Sequence, residues 1–384
     1  MLYRQFIFCY NTFYNGVKRL LLPREGTPGC KQLPAAGKVM KHIKILTAAA
    51  LVIALLLSLC GCTGTGMEST TFAMGSVLNI RIYADEEEAQ RLSDLIKDRA
   101  SFVDSCLSAT DENSEISRLN KNGSAKVNAY TLETMESILK VSKTLGGAVD
   151  PTIGAVSSLW GFAGDSPELP SDDEIKTALG KVGLDGLYID KENSTVYIGE
   201  GQQIDAGAFG KGAALDEASY SLMTGNAPAV VTFGGSVLLF GKSPKGKWTV
   251  GIRDPFGTEN DYFATLALDI EEGAAGFIST SGSYEKTFTE NGKTYHHILS
   301  PETGYPVETD LVSVTVFAHG GMVSDALSTA CFIGGLNEKT LEQLGYFSAE
   351  AVFVFKDGKY YVTDGLNDAF RLSSKDFTEY KYEG

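Results

Sequence analysis

The chain has 384 residues, with 33 Lys and Arg against 48 Asp and Glu, a net charge of −15 and a pI of about 4.8. That length supports one large or two ordinary domains with a sizeable core, and it excludes a disordered tail or a mini-protein. Residues 1–61 hold eight basic side chains and one acid, Glu25, leaving 25 basic against 47 acidic groups and a charge near −22 for the remainder. A body that acidic repels phosphate backbones, so no nucleic acid is expected as a partner, and a phosphate-bearing ligand needs a local cation or glycine loop. Six cysteines, only Cys62, Cys106 and Cys331 of them beyond residue 61, allow at most one bridge there and no disulfide framework.

Residues 1–39 are rich in Tyr, Phe and Arg, match no targeting pattern and precede a second methionine, so Met40 is read as the true start and 1–39 as an upstream mis-start. Residues 40–61 then read as a lipoprotein signal peptide: a basic Met40–Lys44, and 15 apolar-rich residues from Ile45 to Leu59. A spanning helix needs roughly 20 apolar residues, so this stretch is signal-sized. Leu59 and Gly61 stand at −3 and −1 to Cys62 and make it the lipidation site, which implies an extracytoplasmic protein anchored to a bacterial membrane. A plain secretory signal or N-terminal anchor with an incidental cysteine is the alternative.

Residues 62–70 are expected to be a linker and 71–384 one continuous domain. Val77–Tyr83 alternates like a half-buried strand. Asp85 followed by Glu88 resembles a capping box, and Leu92, Leu95, Ile96, Val103 and Cys106 give the next helix one apolar face. A second helix is predicted from Leu132 to Leu145, stopped by Gly146-Gly147. Further on, Ala229–Phe233, Trp248–Ile252, Ala264–Ile270, Leu311–Ala318, Ala351–Phe355 and Tyr360–Val362 read as short strands, with a helix around Met322–Phe332. The expected class is α+β, a mixed or antiparallel sheet with flanking helices, rather than regular βαβ winding.

Several segments carry possible chemistry. In Ile204–Gly212, small residues surround Lys211, so the backbone can approach an anion, although Asp205 and Gly212 break the P-loop pattern and a tight turn into a helix explains the segment equally well. Gly234-Gly235 and Thr280-Ser281-Gly282 are similarly open between phosphate contacts and ordinary turns. Asp325 and Thr329, four apart, stack on one helix face, where a carboxylate and a hydroxyl suit a hard cation such as Mg²⁺. Simple capping and back-bonding within the helix is the bland alternative. His296 and His297 are two of the three histidines beyond Cys62, and histidine is the side chain best suited to proton transfer near neutrality. Zinc-hydrolase and serine-hydrolase signatures are absent from the sequence.

Taken in order, these segments resemble the ApbE family, the FAD:protein FMN transferases. The matching stretches are FAMGSVLNI (Phe72–Ile80), LSATDENSEISRLN (Leu107–Asn120), VDPTIGAVSSLWGF (Val149–Phe162), IDAGAFGKGAALD (Ile204–Asp216), VTFGGSV (Val231–Val237), VGIRDP (Val250–Pro255), STSGSYE (Ser279–Glu285), HHILSPETGYPV (His296–Val307) and VSDALSTA (Val323–Ala330).

The resemblance implies an ApbE-like α+β fold and Mg²⁺-dependent transfer of FMN from FAD to a threonine of an acceptor flavoprotein, with AMP released. By position it implies Asp325, Thr329 and the backbone carbonyl of Ala208 as metal ligands. Met74, Ala148, Val149, Asp150, Asp205, Lys211 and Ile298 become FAD contacts, and His297 stands at the reacting phosphate. Many relatives carry a tyrosine where this chain has Thr110, beside the expected flavin position. Two other functions stay open: a Mg²⁺-dependent FAD pyrophosphatase giving FMN and AMP, and a flavin-binding lipoprotein.

Overall fold

The computed structural model describes residues 66–164, 166–258 and 260–382. Cys62, the expected signal peptide at 40–61 and the segment 1–39 lie outside the described residues.

A nine-stranded sheet runs in the order Met67–Ala73, Ser76–Ile82, Ala229–Phe233, Ser236–Phe240, Ala275–Gly282, Leu311–Ala318, Glu350–Phe355, Lys359–Val362 and Thr378–Glu379. Neighbours are antiparallel except the last two strands, which are parallel, so the sheet is mixed. The period-2 alternation of side chains buries both of its faces. Leu78, Ile80, Val231, Phe233, Phe277 and Phe353 join one core, while Leu239, Ile278, Val352 and Val354 join another with Trp248, Phe263 and Leu266. The second core lies under a smaller sheet made of Trp248–Arg253, Tyr262–Leu268 and Phe370–Leu372.

Eight α-helices occur among the described residues: α1 (Glu86–Leu107), α2 (Glu115–Asn122), α3 (Ala129–Thr144), α4 (Gly154–Trp160), α5 (Asp172–Leu179), α6 (Gly210–Met223), α7 (Gly321–Gly334) and α8 (Glu338–Tyr346). The α1 cap is half of the expected box. Asp85 accepts from the Glu88 N–H at 3.0 Å, but the Glu88 carboxylate turns to Arg91 instead of returning to the cap. α7 is apolar on nearly every side and packs against α6 and the strands Ala275–Gly282 and Leu311–Ala318. Its N-terminus is capped by a distant acid, since Asp216 on α6 accepts from the N–H groups of Gly321 (2.6 Å) and Met322 (2.9 Å). An acid there satisfies orphan donors and complements the helix dipole.

The expected linker is shorter than its sequence suggested, because Met67–Thr70 already pair with Asn79–Ile82. MESTTFA carries no apolar/polar alternation in its sequence and is held at the sheet edge by its partner strand. Thr280-Ser281-Gly282 ends a strand instead of forming a loop. Cys106 and Cys331 are buried free thiols and form no bridge.

Candidate active site

The site lies at one end of the main sheet, where turns and strand ends gather. Met74-Gly75 is the two-residue turn between the first two strands, and both residues have positive φ, 46° and 68°. That is the geometry of a type I′ hairpin, unusual for a methionine. The carboxylate of Asp104 accepts the Met74 N–H at 3.2 Å and holds the turn. Gly234-Gly235 turns the next hairpin beside it, with the Gly234 N–H donated to the Val77 carbonyl at 3.2 Å. Thr280 N–H reaches the Gly235 carbonyl at 3.0 Å, which brings the Ser281 end of its strand to the same place.

The segment Asp150–Gly154 runs beside the loop before α6. Asp205 N–H donates to the Pro151 carbonyl at 2.8 Å and Gly154 N–H to the Gln203 carbonyl at 2.9 Å. Asn120 completes Ile204 like a strand partner, giving its Nδ2 to the Ile204 carbonyl (2.9 Å) and taking the Ile204 N–H (2.7 Å). Asp205 itself accepts from the Ser157 hydroxyl and, at 2.6 Å, from Gly207 N–H. Ala148 is half-buried, Val149 and Asp150 are buried, and Thr152 takes one Asp150 oxygen through its N–H (2.8 Å) and hydroxyl (2.6 Å).

α6 and α7 cross at Gly212 and Gly321, where a Cβ on Gly212 would strike the Gly321 carbonyl oxygen. Only glycine permits this approach, and it places Asp325 of α7 against the first turn of α6. Asp325 is 6 % exposed and accepts from Gly212 N–H at 3.0 Å and from the Ser236 hydroxyl at 3.3 Å. The Lys211 ammonium lies 4.0 Å away. Because the Gly212 N–H is turned to Asp325, no backbone N–H reaches the carbonyl of Ala208 in the described structure. One turn along α7, the Thr329 hydroxyl lies 3.1 Å from Ser281 and 3.4 Å from the Asp325 carbonyl. Ser236 had no individual signal in the sequence, since its contact with Asp325 comes from strand pairing, whereas Ser281 lay in the triplet already singled out for possible phosphate contacts.

The Ala208 carbonyl, the buried Asp325 carboxylate with lone pairs to spare and the Thr329 hydroxyl are oxygen donors of the kind that could hold a hard divalent cation. No cluster of three His, Cys, Asp or Glu side chains suited to a metal occurs among the described residues.

The two histidines are held as opposite tautomers. His296 Nδ1 accepts from Ile298 N–H at 3.3 Å, so its Nε2 proton goes to the Val307 carbonyl at 3.1 Å. His297 Nδ1 faces the Glu285 carbonyl at 3.3 Å, and a carbonyl can only accept, so Nδ1 carries the proton and Nε2 keeps its lone pair. Although His297 retains some solvent contact, the loss of water around its ring on burial, then Lys211 and Lys286, lowers its pKa to about 4. It is therefore a neutral base at neutral pH. Ile298 is buried, with its N–H given to His296 Nδ1 and its C=O taking the Val307 N–H. Thr110 is exposed.

The ApbE family profile matches residues 74–352, which takes in every one of these groups. The chain belongs to the ApbE family. It is 32 % identical over 324 residues to the FAD:protein FMN transferase of Treponema pallidum, covering 78 % of this chain and 87 % of the relative. It is 30 % identical over 321 residues to the Haemophilus influenzae protein of the same name, covering 78 % and 90 %. The crystal structure of the ApbE protein of Thermotoga maritima superposes with a TM-score of 0.72 at 30 % identity, covering 78 % of this chain and 97 % of that one. The ApbE fold expected from the sequence is thus the fold observed.

Proposed function

We propose that this ApbE-family chain is an enzyme that transfers FMN from FAD to a hydroxyl, a threonine's by the family resemblance, on an acceptor flavoprotein and releases AMP. The observation that carries this is the neutral His297 with its Nε2 lone pair free, on the same sheet end as Lys211 and Asp325. The transferase names of relatives sharing about a third of the sequence support it.

Lys211, in the first turn of α6, brings a cation and the positive end of a helix dipole to a pyrophosphate that the acidic body would otherwise repel. Met74, Ala148–Asp150 and Asp205 are the candidates to line the rest of the FAD. His297 Nε2 takes the proton from the incoming hydroxyl, whose oxygen bonds to the FMN-side phosphorus as the P–O bond to AMP breaks. Asp325, Thr329 and the Ala208 carbonyl would hold Mg²⁺, which supplies charge neutralisation for the phosphates when bound.

Incubating the protein with FAD, Mg²⁺ and a candidate acceptor flavoprotein, then weighing the intact acceptor, tests the proposal. A gain of one FMN is expected, whereas free FMN with an unmodified acceptor would make the protein a pyrophosphatase instead. We further infer that residues 40–61 are a lipoprotein signal and that Cys62 carries the lipid of an extracytoplasmic anchor. The support is the basic, apolar and Leu59/Gly61 pattern alone, and an unlipidated Cys62 by mass spectrometry would reject it.

A further inference from the structure

His297 is held through one carbonyl, and that carbonyl belongs to a turn with its own clamp. The hairpin Thr287–Glu290/Lys293–His296 leaves the sheet through Glu285-Lys286 and returns at His297. Thr287 pairs with His296, so the His297–Glu285 contact closes the mouth of the hairpin. Lys286 sits at φ 35°, a left-handed conformation in which a side-chain-bearing residue is strained and needs its surroundings to hold it.

The holding group comes from a different sheet. A register shift between Ile252 and Arg253 breaks the Trp248–Arg253 ladder, the kind of irregularity that re-aims a side chain. Arg253 NH1 donates to the Glu285 carboxylate at 3.2 Å, and its guanidinium lies 4.9 Å from the centre of the Tyr284 ring. Its Nε is buried without a hydrogen-bond partner among the described residues, a cost that ordinary surface arginines avoid. Lys211 and Lys286 are the charges that act directly on the imidazole. Arg253 reaches it only through Glu285.

We propose that Arg253 is a positioning residue for His297: by pinning Glu285 it keeps that carbonyl on Nδ1 and so fixes the tautomer that leaves Nε2 free as the base. This deepens the transferase function above and rests on it.

The test uses the full chain in detergent, labelled with ¹⁵N-histidine, with His297→Asn identifying the signal. In the unaltered protein His297 is expected as the Nδ1–H tautomer alone. Arg253→Met, which keeps an apolar stem, should give a mixture of tautomers and slow AMP release from FAD about tenfold, a fraction of what a positioned base contributes, with KM for FAD little changed. Arg253→Lys, which still reaches a carboxylate, should recover most of the rate. Glu285→Gln removes the same ion pair from the other side and carries the test if Arg253→Met fails to fold. A tautomer unchanged in Arg253→Met or Glu285→Gln, or a raised KM at constant kcat, overturns the assignment. The spectrum needs no acceptor. A protein that transfers no FMN yet shows the tautomer change therefore fails the function and keeps the positioning, while transfer without the change does the reverse.

Discussion

His297 and Asp325 divide the chemistry at the scale of single side chains, and each gives a distinct expectation. A positioned base is worth about 10²–10⁴ in rate, so His297→Asn should lower kcat by that order and leave FAD affinity nearly intact. Burial and the two lysines depress its pKa to about 4. The imidazole therefore accepts a proton at any pH above that value and loses the ability as pH falls through it, which puts the acid limb of the rate profile near 4 rather than near the ordinary 6.5. Turnover unaffected by His297→Asn, or an acid limb that the substitution leaves in place, would remove the histidine from the reaction. Asp325→Ala takes the only carboxylate from the all-oxygen donor set and should abolish Mg²⁺-stimulated turnover, whereas Thr329→Ala, losing a neutral hydroxyl that water replaces, should raise the Mg²⁺ requirement and keep part of the rate. Titrating Mg²⁺ against AMP release for the two variants checks the order. Ala208 contributes a carbonyl, so Ala208→Ser should behave like the unaltered chain.

The crossing of α6 and α7 joins these residues at the scale of elements. Gly212→Ala would push a methyl group into the Gly321 carbonyl and within 2.8 Å of the Asp325 Cβ. Overpacking of this kind costs about 1–3 kcal/mol, and relief requires the helices to part, which moves Asp325 off the Gly212 N–H. Thermal unfolding and Mg²⁺ titration should therefore worsen together in this variant; unchanged Mg²⁺ dependence in a destabilised protein would separate the crossing from the metal. The sequence carried part of this arrangement. Asp325 and Thr329 share a helix face as their spacing indicates, and Lys211 opens a helix behind a tight turn. It did not carry the Asp216 cap on α7 or the use of Gly212 as a contact surface, because both depend on residues more than 100 positions away. Ser236–Phe240 and Ala275–Gly282 escaped for a related reason. They are buried on both faces or lead into small polar residues, so the alternation that marks Val77–Tyr83 is lost.

Charge and burial set the terms at the scale of the whole molecule. Both faces of the main sheet are covered from within residues 67–382, and every proposed catalytic, FAD and metal residue lies in that range. No helix among the described residues is long and apolar enough to cross a membrane. A chain beginning at Gly66 keeps the described core and every proposed site residue, and it should fold cooperatively and transfer FMN at the rate of the full-length protein. Because FAD binds only the folded chain, adding it with Mg²⁺ at about 100 times its Kd should stabilise the shortened protein by about 2.7 kcal/mol, read as a rise in melting temperature. The same addition to Asp325→Ala should give a much smaller rise. A shortened chain that aggregates, or one that folds but gains no stability from FAD, would mean that residues before Gly66 complete the core or the site.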